Sequence, residues 1–308
     1  MLRRVFAIIL PAVLLPGLGA CAEDGPWRTV RTTHFIIYYA NGADSVARNA
    51  GSSAERWHSI LSRKLDYSPG GVTPIYLYPD RRSFARAARI DPADTVVGLA
   101  HTRTLKVRVD ASGTFASPET VIAHELVHVF ISRRLRGYAH HMPLWMHEGL
   151  AKYLAGDWTH ADAELLREVG SRSGIIPLGR ISHVFPKDDR RRGIAYVESY
   201  SIVKYIADKY TPESIPDILA ELAAGHPFPT ALLYSIGVEP DVLERDWRQY
   251  LWEEYRPYRW FRLASAILSA AMAAFAILAF RSRIRRKRLK AAEFEEEVVG
   301  IREQGEEF

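Results

Sequence analysis

One pentapeptide near the middle of the chain constrains its fold and chemistry more than any other feature. Residues 124–128 read H-E-L-V-H, a match to the pattern H-E-x-x-H, inside an apolar periodic segment between Ser117 and Arg136. Residues four apart share one face of an α-helix, so the two imidazoles can bind one zinc ion while Glu125 reaches a water molecule on that ion. The pattern therefore predicts a helix with a zinc site on one face.

A hydrolytic zinc site needs a third protein ligand and one open position. The downstream candidates are His140, His141, His147 and Glu148. A metzincin would have Gly and His at fixed offsets after the second histidine, but Ile131 and Arg134 stand there. Gly137 and Pro143 mark a turn that can bring a second helix back antiparallel and present Glu148 to the metal.

Glu148 belongs to a second motif, W-x-x-E-G-x-A-x-Y, at residues 145–153. Together the two motifs resemble the gluzincin zinc metallopeptidases. The order of predicted elements and a closing W-R-Q-Y-L at residues 247–251 resemble the peptidase MA-like family in particular, over residues 27–255. This resemblance implies a zincin-like metalloprotease domain with one bound Zn²⁺.

The resemblance also implies roles for individual residues. The implied zinc ligands are His124, His128 and Glu148. Glu125 would be the general base, taking a proton as the zinc-activated water attacks a peptide carbonyl. Tyr196 stands where aminopeptidase-type relatives place the tyrosine that stabilises the tetrahedral intermediate. Tyr200, one helical turn further on, is the alternative.

One position departs from the thermolysin-type pattern. The aspartate expected four residues after the glutamate ligand is absent, because Lys152 stands there, so the group that orients His124 or His128 must come from elsewhere. His147 points about 100° away from Glu148 on a helix and is expected to be structural. The sequence shows no exopeptidase motif that would hold a substrate amino terminus.

The sequence pattern of residues 27–255 predicts an α+β domain, with a small β-sheet in its N-terminal half and helices in its C-terminal half. Predicted strands occupy residues 27–39, 73–78, 95–101 and 105–110. Predicted helices occupy residues 44–65, a short segment around Phe84, and residues 117–136, 144–154, 161–169, 194–210, 213–224, 229–236 and 242–255. The strand at 105–110 precedes the metal helix and is expected to offer its edge to an extended substrate.

Charge and cysteine usage exclude several classes of protein. Lys and Arg total 41 and Asp and Glu 36, but residues 23–280 are close to neutral and contain no long K/R-rich run, which argues against a nucleic-acid partner. The single cysteine, Cys21, excludes an intramolecular disulfide and a multi-cysteine metal site. Patterns for serine hydrolases and nucleotide-binding loops are missing from the sequence.

The N-terminal residues 1–22 have the layout of a secretory signal. Arg3 and Arg4 precede an apolar stretch over residues 5–20 that prolines and glycines interrupt. Its end, residues 18–21, resembles a bacterial lipobox, in which Cys21 becomes a lipidated N-terminus. The alternatives are ordinary cleavage at the small-residue site 20–22 and a retained, buried thiol. Either form of cleavage places residues 23–255 outside the cytoplasm.

A candidate transmembrane helix lies near the C-terminus. Residues 263–280 are 18 consecutive uncharged residues, preceded by an aromatic belt from Trp252 to Phe261. Seven basic residues follow the segment within 281–290, against three arginines just before it, which predicts a cytoplasmic tail, 281–308. The alternative is a buried C-terminal core helix.

These features together predict a single-pass protein of the cell membrane with an extracytoplasmic zinc metallopeptidase domain. The expected substrate is a peptide or a protein. Two alternatives stay open: an envelope binding or scaffold protein that keeps the fold without turnover, and a zinc hydrolase of a non-peptide amide. The sequence gives no indication of the oligomeric state.

Overall fold

The structure, a computed structural model, describes residues 27–170 and 174–305. The predicted signal segment 1–22, including Cys21, lies outside the described residues, as do residues 306–308 of the predicted tail. In the described part a small sheet is followed by a mainly helical body, which confirms the predicted α+β class.

Five strands form one mixed sheet in the order β1-β2-β3-β5-β4. Their bounds are β1 Arg28–Arg31, β2 Phe35–Tyr39, β3 Thr73–Tyr78, β4 Gly98–His101 and β5 Lys106–Asp110. Strands β2, β3 and β5 are parallel, whereas β1 and β4 run antiparallel at the two edges. Helices α1 (Asp44–Lys64) and α2 (Arg81–Ala88) lie in the connections that parallel neighbours require.

Two strand predictions are wrong. Residues 27–39 form the antiparallel pair β1 and β2 because the chain reverses at Thr32, whose N–H donates to the Phe35 carbonyl at 3.0 Å. The Phe35 N–H in turn donates to the Thr32 hydroxyl at 3.2 Å. Strand β5 is not an edge strand, since it pairs with both β3 and β4. The edge nearest the metal helix is therefore β4.

The remaining helices follow the predicted order. They are α3 Pro118–Leu135, α4 Leu144–Ala155, α5 His160–Gly170, α6 Asp189–Lys209, α7 Ser214–Ala223, α8 Phe228–Ile236 and α9 Pro240–Gly305. Helix α9 includes both the predicted helix 242–255 and the predicted apolar segment 263–280, and it continues through Pro257, which lies between them.

The core lies between the sheet and the helices that cover its two faces. Successive side chains of a strand point to opposite faces. Ile37, Ile75 and Val107 are fully buried on the face that α1 and α3 cover. Tyr76 and Tyr78, on the other face, pack in a cluster with Phe84 of α2 and Val96. Helix α3 is thus held between the sheet and the helices that follow it.

The chain divides into two compact units, and the second begins at Glu253. Within that second unit, the segment Leu263–Arg288 of α9 is long and apolar enough to cross a membrane. None of that segment is buried in the protein. Its apolar side chains, such as Met272 and Phe275, are exposed.

Candidate metal centre

The H-E-x-x-H helix is α3, and its sequence explains both of its ends. Ser117 is the N-cap, whose side chain accepts a hydrogen bond from the Thr120 N–H, and Pro118 takes the first helical position. The helix ends where Arg136 and Gly137 adopt left-handed backbone angles, with φ of 46° and 103°. These bounds leave the pentapeptide in the middle of the helix.

Helices α3 and α4 bring together the three side chains predicted as zinc ligands. His124 and His128 lie one turn apart on α3, with ring centroids 5.0 Å apart. The carboxylate oxygens of Glu148 on α4 lie 3.7 Å from His124 Nε2 and 3.8 Å from His128 Nε2. One possible ligand atom from each residue lies within 4.8 Å of the others, and all three residues are buried. The cluster has the geometry of a three-ligand metal site.

A glycine allows α4 to take this position. A Cβ atom at Gly149 would lie 2.1 Å from the carbonyl oxygen of Ser199 on α6. Only a residue without a side chain permits so close an approach of two helices. The E-G pair of the second motif therefore places the carboxylate of Glu148 and fixes its helix against α6.

The donor atoms of the cluster fit a zinc ion. Among the described residues, no hydrogen bond satisfies His124 Nε2, His128 Nε2 or either carboxylate oxygen of Glu148, although all four atoms are buried. Buried polar atoms without partners are rare in folded proteins, and a metal ion would satisfy all of them together. Two imidazoles and one carboxylate form a ligand set that zinc uses in catalytic sites, where it keeps a fourth position open.

Burial and neighbouring charge shift the pKa values of this cluster in the metal-free protein. Burial raises the pKa of Glu148 and lowers that of His128 well below its usual range. Burial would also lower the pKa of His124, but the carboxylates of Asp157 and Glu148 outweigh it and raise that pKa to about 9. A bound cation would favour ionised Glu148 and neutral imidazoles, which are the ligand forms.

Glu125 lies beside the cluster and faces the edge strand. It is fully buried, and burial, together with the charge of Glu148, raises its pKa to about 8. The charge of the neighbouring His124 offsets part of that rise. A Cβ atom at Gly98 would lie 2.5 Å from Glu125 Oε1, so β4 passes directly beside this carboxyl group.

The structure distinguishes the two candidate tyrosines on α6. Tyr196 is buried, and burial and the charges of Glu148 and Glu125 raise its pKa well above the usual value. Its ring packs edge-on against Phe185, with centroids 5.0 Å apart. Tyr200 instead stacks on Trp158 at 3.9 Å, away from the cluster's charges. Tyr196 is therefore the tyrosine within the electrostatic reach of the metal centre.

A comparison with protein-family models agrees with this geometry. The model described as the peptidase MA superfamily matches residues 69–253, which include all of α3, α4 and α6. The chain belongs to the peptidase MA superfamily. Membership and the three-residue cluster together support a zinc peptidase that takes one Zn²⁺.

Several solved structures match part of this chain at low sequence identity. An M1 zinc metallopeptidase from Deinococcus radiodurans is 17% identical, with a TM-score of 0.47 over 72% of this chain and 51% of that chain. A mutant M1 zinc metallopeptidase from Deinococcus radiodurans, bound to a Tyr-Ser-Ala substrate, is 17% identical, with a TM-score of 0.48 and the same coverage. The chain spans about half the length of the solved structures that it matches. A search of curated proteins gives no match.

Asp157 and His147 lie against the two histidines of the H-E-x-x-H pentapeptide. The sequence alone did not assign either residue to the site. Asp157 Oδ2 lies 3.6 Å from His124 Nδ1. His147 Nδ1 lies 2.8 Å from His128 Nδ1, and their rings stack. His147 is expected from the sequence to be structural, and the structure places it against a candidate ligand.

The other downstream histidines do not reach the centre. His140 and His141 lie in a short 3-10 helix, Tyr138–His141. The Nδ1 atom of His140 lies 3.0 Å from the Gly137 carbonyl, and that of His141 lies 3.2 Å from the His226 carbonyl. Each of these rings therefore contacts a backbone carbonyl that lies outside α3 and α4.

Proposed function

We propose that the chain is a membrane-anchored zinc metallopeptidase whose catalytic domain lies outside the cytoplasm. The observation that carries this proposal is the buried cluster of unsatisfied donor atoms on His124, His128 and Glu148, next to the free carboxyl group of Glu125. A structural zinc site is normally closed by four protein ligands. Three ligands beside a separate base are the arrangement of a hydrolytic centre.

We assign His124, His128 and Glu148 as the zinc ligands. A zinc ion held there would supply a bound water of pKa about 7, compared with about 15.7 in bulk, and would polarise a substrate carbonyl. The protein contributes the rigid placement of the ligands. That placement comes from two helices buried against the sheet and against α6.

Glu125 is the proposed general base and Tyr196 the proposed oxyanion donor. Burial raises the pKa of Glu125 in the metal-free protein, and a zinc ion on the neighbouring ligands would favour the ionised carboxylate, which can accept a proton from the attacking water and return it to the leaving amine. Burial also keeps the hydroxyl of Tyr196 protonated, so it can donate a hydrogen bond to the oxyanion of the substrate. Removing one such donor typically costs about 3 to 4 kcal/mol of barrier.

Strand β4 is the proposed docking edge for the substrate backbone. Strands at the edge of a sheet bind extended peptides through main-chain hydrogen bonds. Strand β4 has a paired side toward β5, and at Gly98 it runs beside Glu125. An extended peptide added along β4 would therefore carry its scissile bond past the proposed base.

The membrane anchor and its orientation complete the proposal. The exposed apolar segment Leu263–Arg288 supports a single span, and the basic residues within 281–290 support a cytoplasmic C-terminus. The signal-like segment 1–22 is consistent with an exported N-terminal domain. A lipid on Cys21 would add a second anchor.

The test uses the full-length protein in detergent, with zinc content and cleavage of a mixed peptide library measured side by side. Glu125→Gln keeps the size of the side chain but cannot accept a proton, so zinc should stay while turnover falls about 10² to 10⁴-fold. Glu119→Gln, on an exposed position of the same helix, is the control and should keep both.

Zinc-loaded parent protein that cleaves no peptide would contradict the proposal. In that case a binding or scaffold role would replace it. Hydrolysis confined to non-peptide amides would keep the zinc chemistry but reject the peptidase assignment.

A further inference from the structure

A buried lysine occupies the position where the thermolysin-type pattern has an aspartate. Lys152 lies one helical turn after Glu148 on α4, and its side chain is only 8% exposed. Its Nζ atom lies 3.4 Å from Asp157 Oδ2 and 3.4 Å from Asp162 Oδ2. Buried lysines are rarely tolerated without such partners. The lysine is therefore the centre of a buried charge network beside the metal centre.

Only one of the two carboxylates also reaches the candidate ligands. Asp157 Oδ2 lies 3.6 Å from His124 Nδ1, while His124 Nε2 faces Glu148. His124 Nδ1 is buried, and within the described part of the chain no hydrogen bond satisfies it. The same oxygen of Asp157 thus lies between the lysine ammonium and the imidazole.

The end of α4 fixes the backbone of Asp157. Gly156 has a φ of 68°, and the Asp157 N–H donates to the Lys152 carbonyl at 3.0 Å, which is the long bond of a Schellman motif. The turn therefore ties Asp157 to the same residue that its side chain pairs with. A side chain held at both its backbone and its carboxylate loses little entropy when it orients a neighbour.

Asp162 is held differently. Its carboxylate accepts hydrogen bonds from the N–H and the hydroxyl of Thr159, each at 2.9 Å, in a cap at the start of α5. Its N–H donates to the Thr159 hydroxyl at 3.1 Å. Asp162 therefore supports Lys152 and the start of a helix, and it provides a natural comparison with Asp157.

We propose that Asp157 is the positioning residue for His124, and that Lys152 holds the Asp157 carboxylate in place, replacing the aspartate that the thermolysin-type pattern has one turn after the glutamate ligand. The inference rests on the proposed zinc site. A carboxylate that accepts the Nδ1–H of His124 fixes the tautomer in which Nε2 is free to bind the metal. In this chain the carboxylate beside His124 comes from Asp157 in the turn after α4. Lys152, which stands where the thermolysin-type pattern has an aspartate, pairs with that carboxylate.

The experiment compares Asp157→Asn with Asp162→Asn in the full-length protein in detergent. Each variant removes one carboxylate from Lys152 and keeps the side-chain volume, but only Asp157→Asn removes a negative charge from His124. The readout is the zinc dissociation constant, obtained by competition with a chelator. Unfolding temperatures of the metal-free proteins report the fold.

We expect Asp157→Asn to weaken zinc binding about 10 to 100-fold, the usual scale for a partner of a metal-binding histidine. Asp162→Asn should leave zinc binding within about two-fold, even if the metal-free protein becomes less stable. An unchanged zinc dissociation constant in Asp157→Asn would overturn the proposal. Equal losses in the two variants would also overturn it, because both carboxylates would then act only through Lys152 and the fold.

A second variant covers the case in which Asp157→Asn does not fold. Asp157→Glu keeps a negative charge for Lys152 but moves the carboxylate by one methylene, so it should fold and bind zinc several-fold more weakly. Wild-type zinc affinity in that variant would contradict the positioning role. Because these readouts measure metal binding without turnover, they can support the role of Asp157 even if the parent protein cleaves no peptide, which would reject only the proposed function.

Discussion

Two helical regions of this chain are rich in apolar residues but have opposite surroundings. In α3, 12 of 18 residues are buried, and they include both histidines and the glutamate of the pentapeptide. In the segment Leu263–Arg288 of α9, no part is buried, although its first 18 residues, 263–280, carry no charge. Composition alone would make these two regions look alike.

Because their surroundings differ, different groups point to function in the two regions. In α3 the exceptional groups are polar atoms inside the protein that lack partners, and they indicate a bound ion. In α9 the exceptional groups are exposed apolar side chains, and they are the basis of the proposed membrane anchor. In both regions the residue whose environment contradicts its chemistry is more informative than the majority that conform.

The largest expected effect comes from placing the same charge in both regions. Leu126→Asp would bury an unpaired carboxylate in α3, at a cost of several kcal/mol, against a typical total stability of about 5–15 kcal/mol. We expect little folded protein. Met272→Asp, in the middle of the exposed segment, should leave the unfolding temperature and zinc content unchanged. It should reduce recovery in the membrane fraction, since a central charge costs about 2.5–3.5 kcal/mol there.

Leu126→Asp also serves as the control for Met272→Asp. If Met272→Asp lowered the unfolding temperature as strongly as Leu126→Asp, the apolar segment would be a buried core helix. That result would remove the proposed membrane anchor.

The sequence predicts those features that depend on local pattern. The cap at Ser117, the stop at Gly137 and the spacing of the H-E-x-x-H pentapeptide each follow from interactions within a few residues, and the structure contains all of them. Glu148 meets the pentapeptide because α4, which follows α3 after a short connection, packs against it. Short-range rules therefore carry most of the candidate site.

Contacts made through tertiary structure could not be predicted in this way. Asp157 reaches His124 only after a left-handed turn at Gly156, and no spacing rule links the two residues. His147 contacts His128 because both rings stack between two packed helices, which a projection of one helix does not show. Whether β4 or β5 lies at the edge of the sheet depends on the order of the strands, and the residue pattern within a strand does not determine that order.

The second-largest expected effect distinguishes two tyrosines on the same core helix. Tyr196 and Tyr200 lie one turn apart on α6, but only Tyr196 is buried near the charges of the metal centre. We expect Tyr196→Phe to keep zinc and lower the single-turnover rate about 10² to 10³-fold, the scale of one lost oxyanion donor. Tyr200→Phe should change that rate by less than about three-fold, because its ring can still stack on Trp158. Equal rates for the two variants would remove Tyr196 from the mechanism.

The smallest expected effect tests how tightly the core helices pack, a constraint that the exposed segment of α9 does not have. Gly149→Ala would place a methyl group 2.1 Å from the Ser199 carbonyl oxygen, so α4 must move away from α6. Overpacking of this kind typically costs about 1–3 kcal/mol, and because Glu148 is the neighbouring residue, zinc affinity should fall as well.

Gly193→Ala is the matched control inside α6, where the nearest atom outside that helix is Leu165 Cδ2 at 3.5 Å. An ordinary contact at that distance leaves room for the methyl group, so the better helix former should raise the free energy of unfolding by up to about 1 kcal/mol. Denaturant unfolding of the metal-free variants measures both signs, and a stabilising Gly149→Ala would show that α4 and α6 do not pack as closely as the site requires.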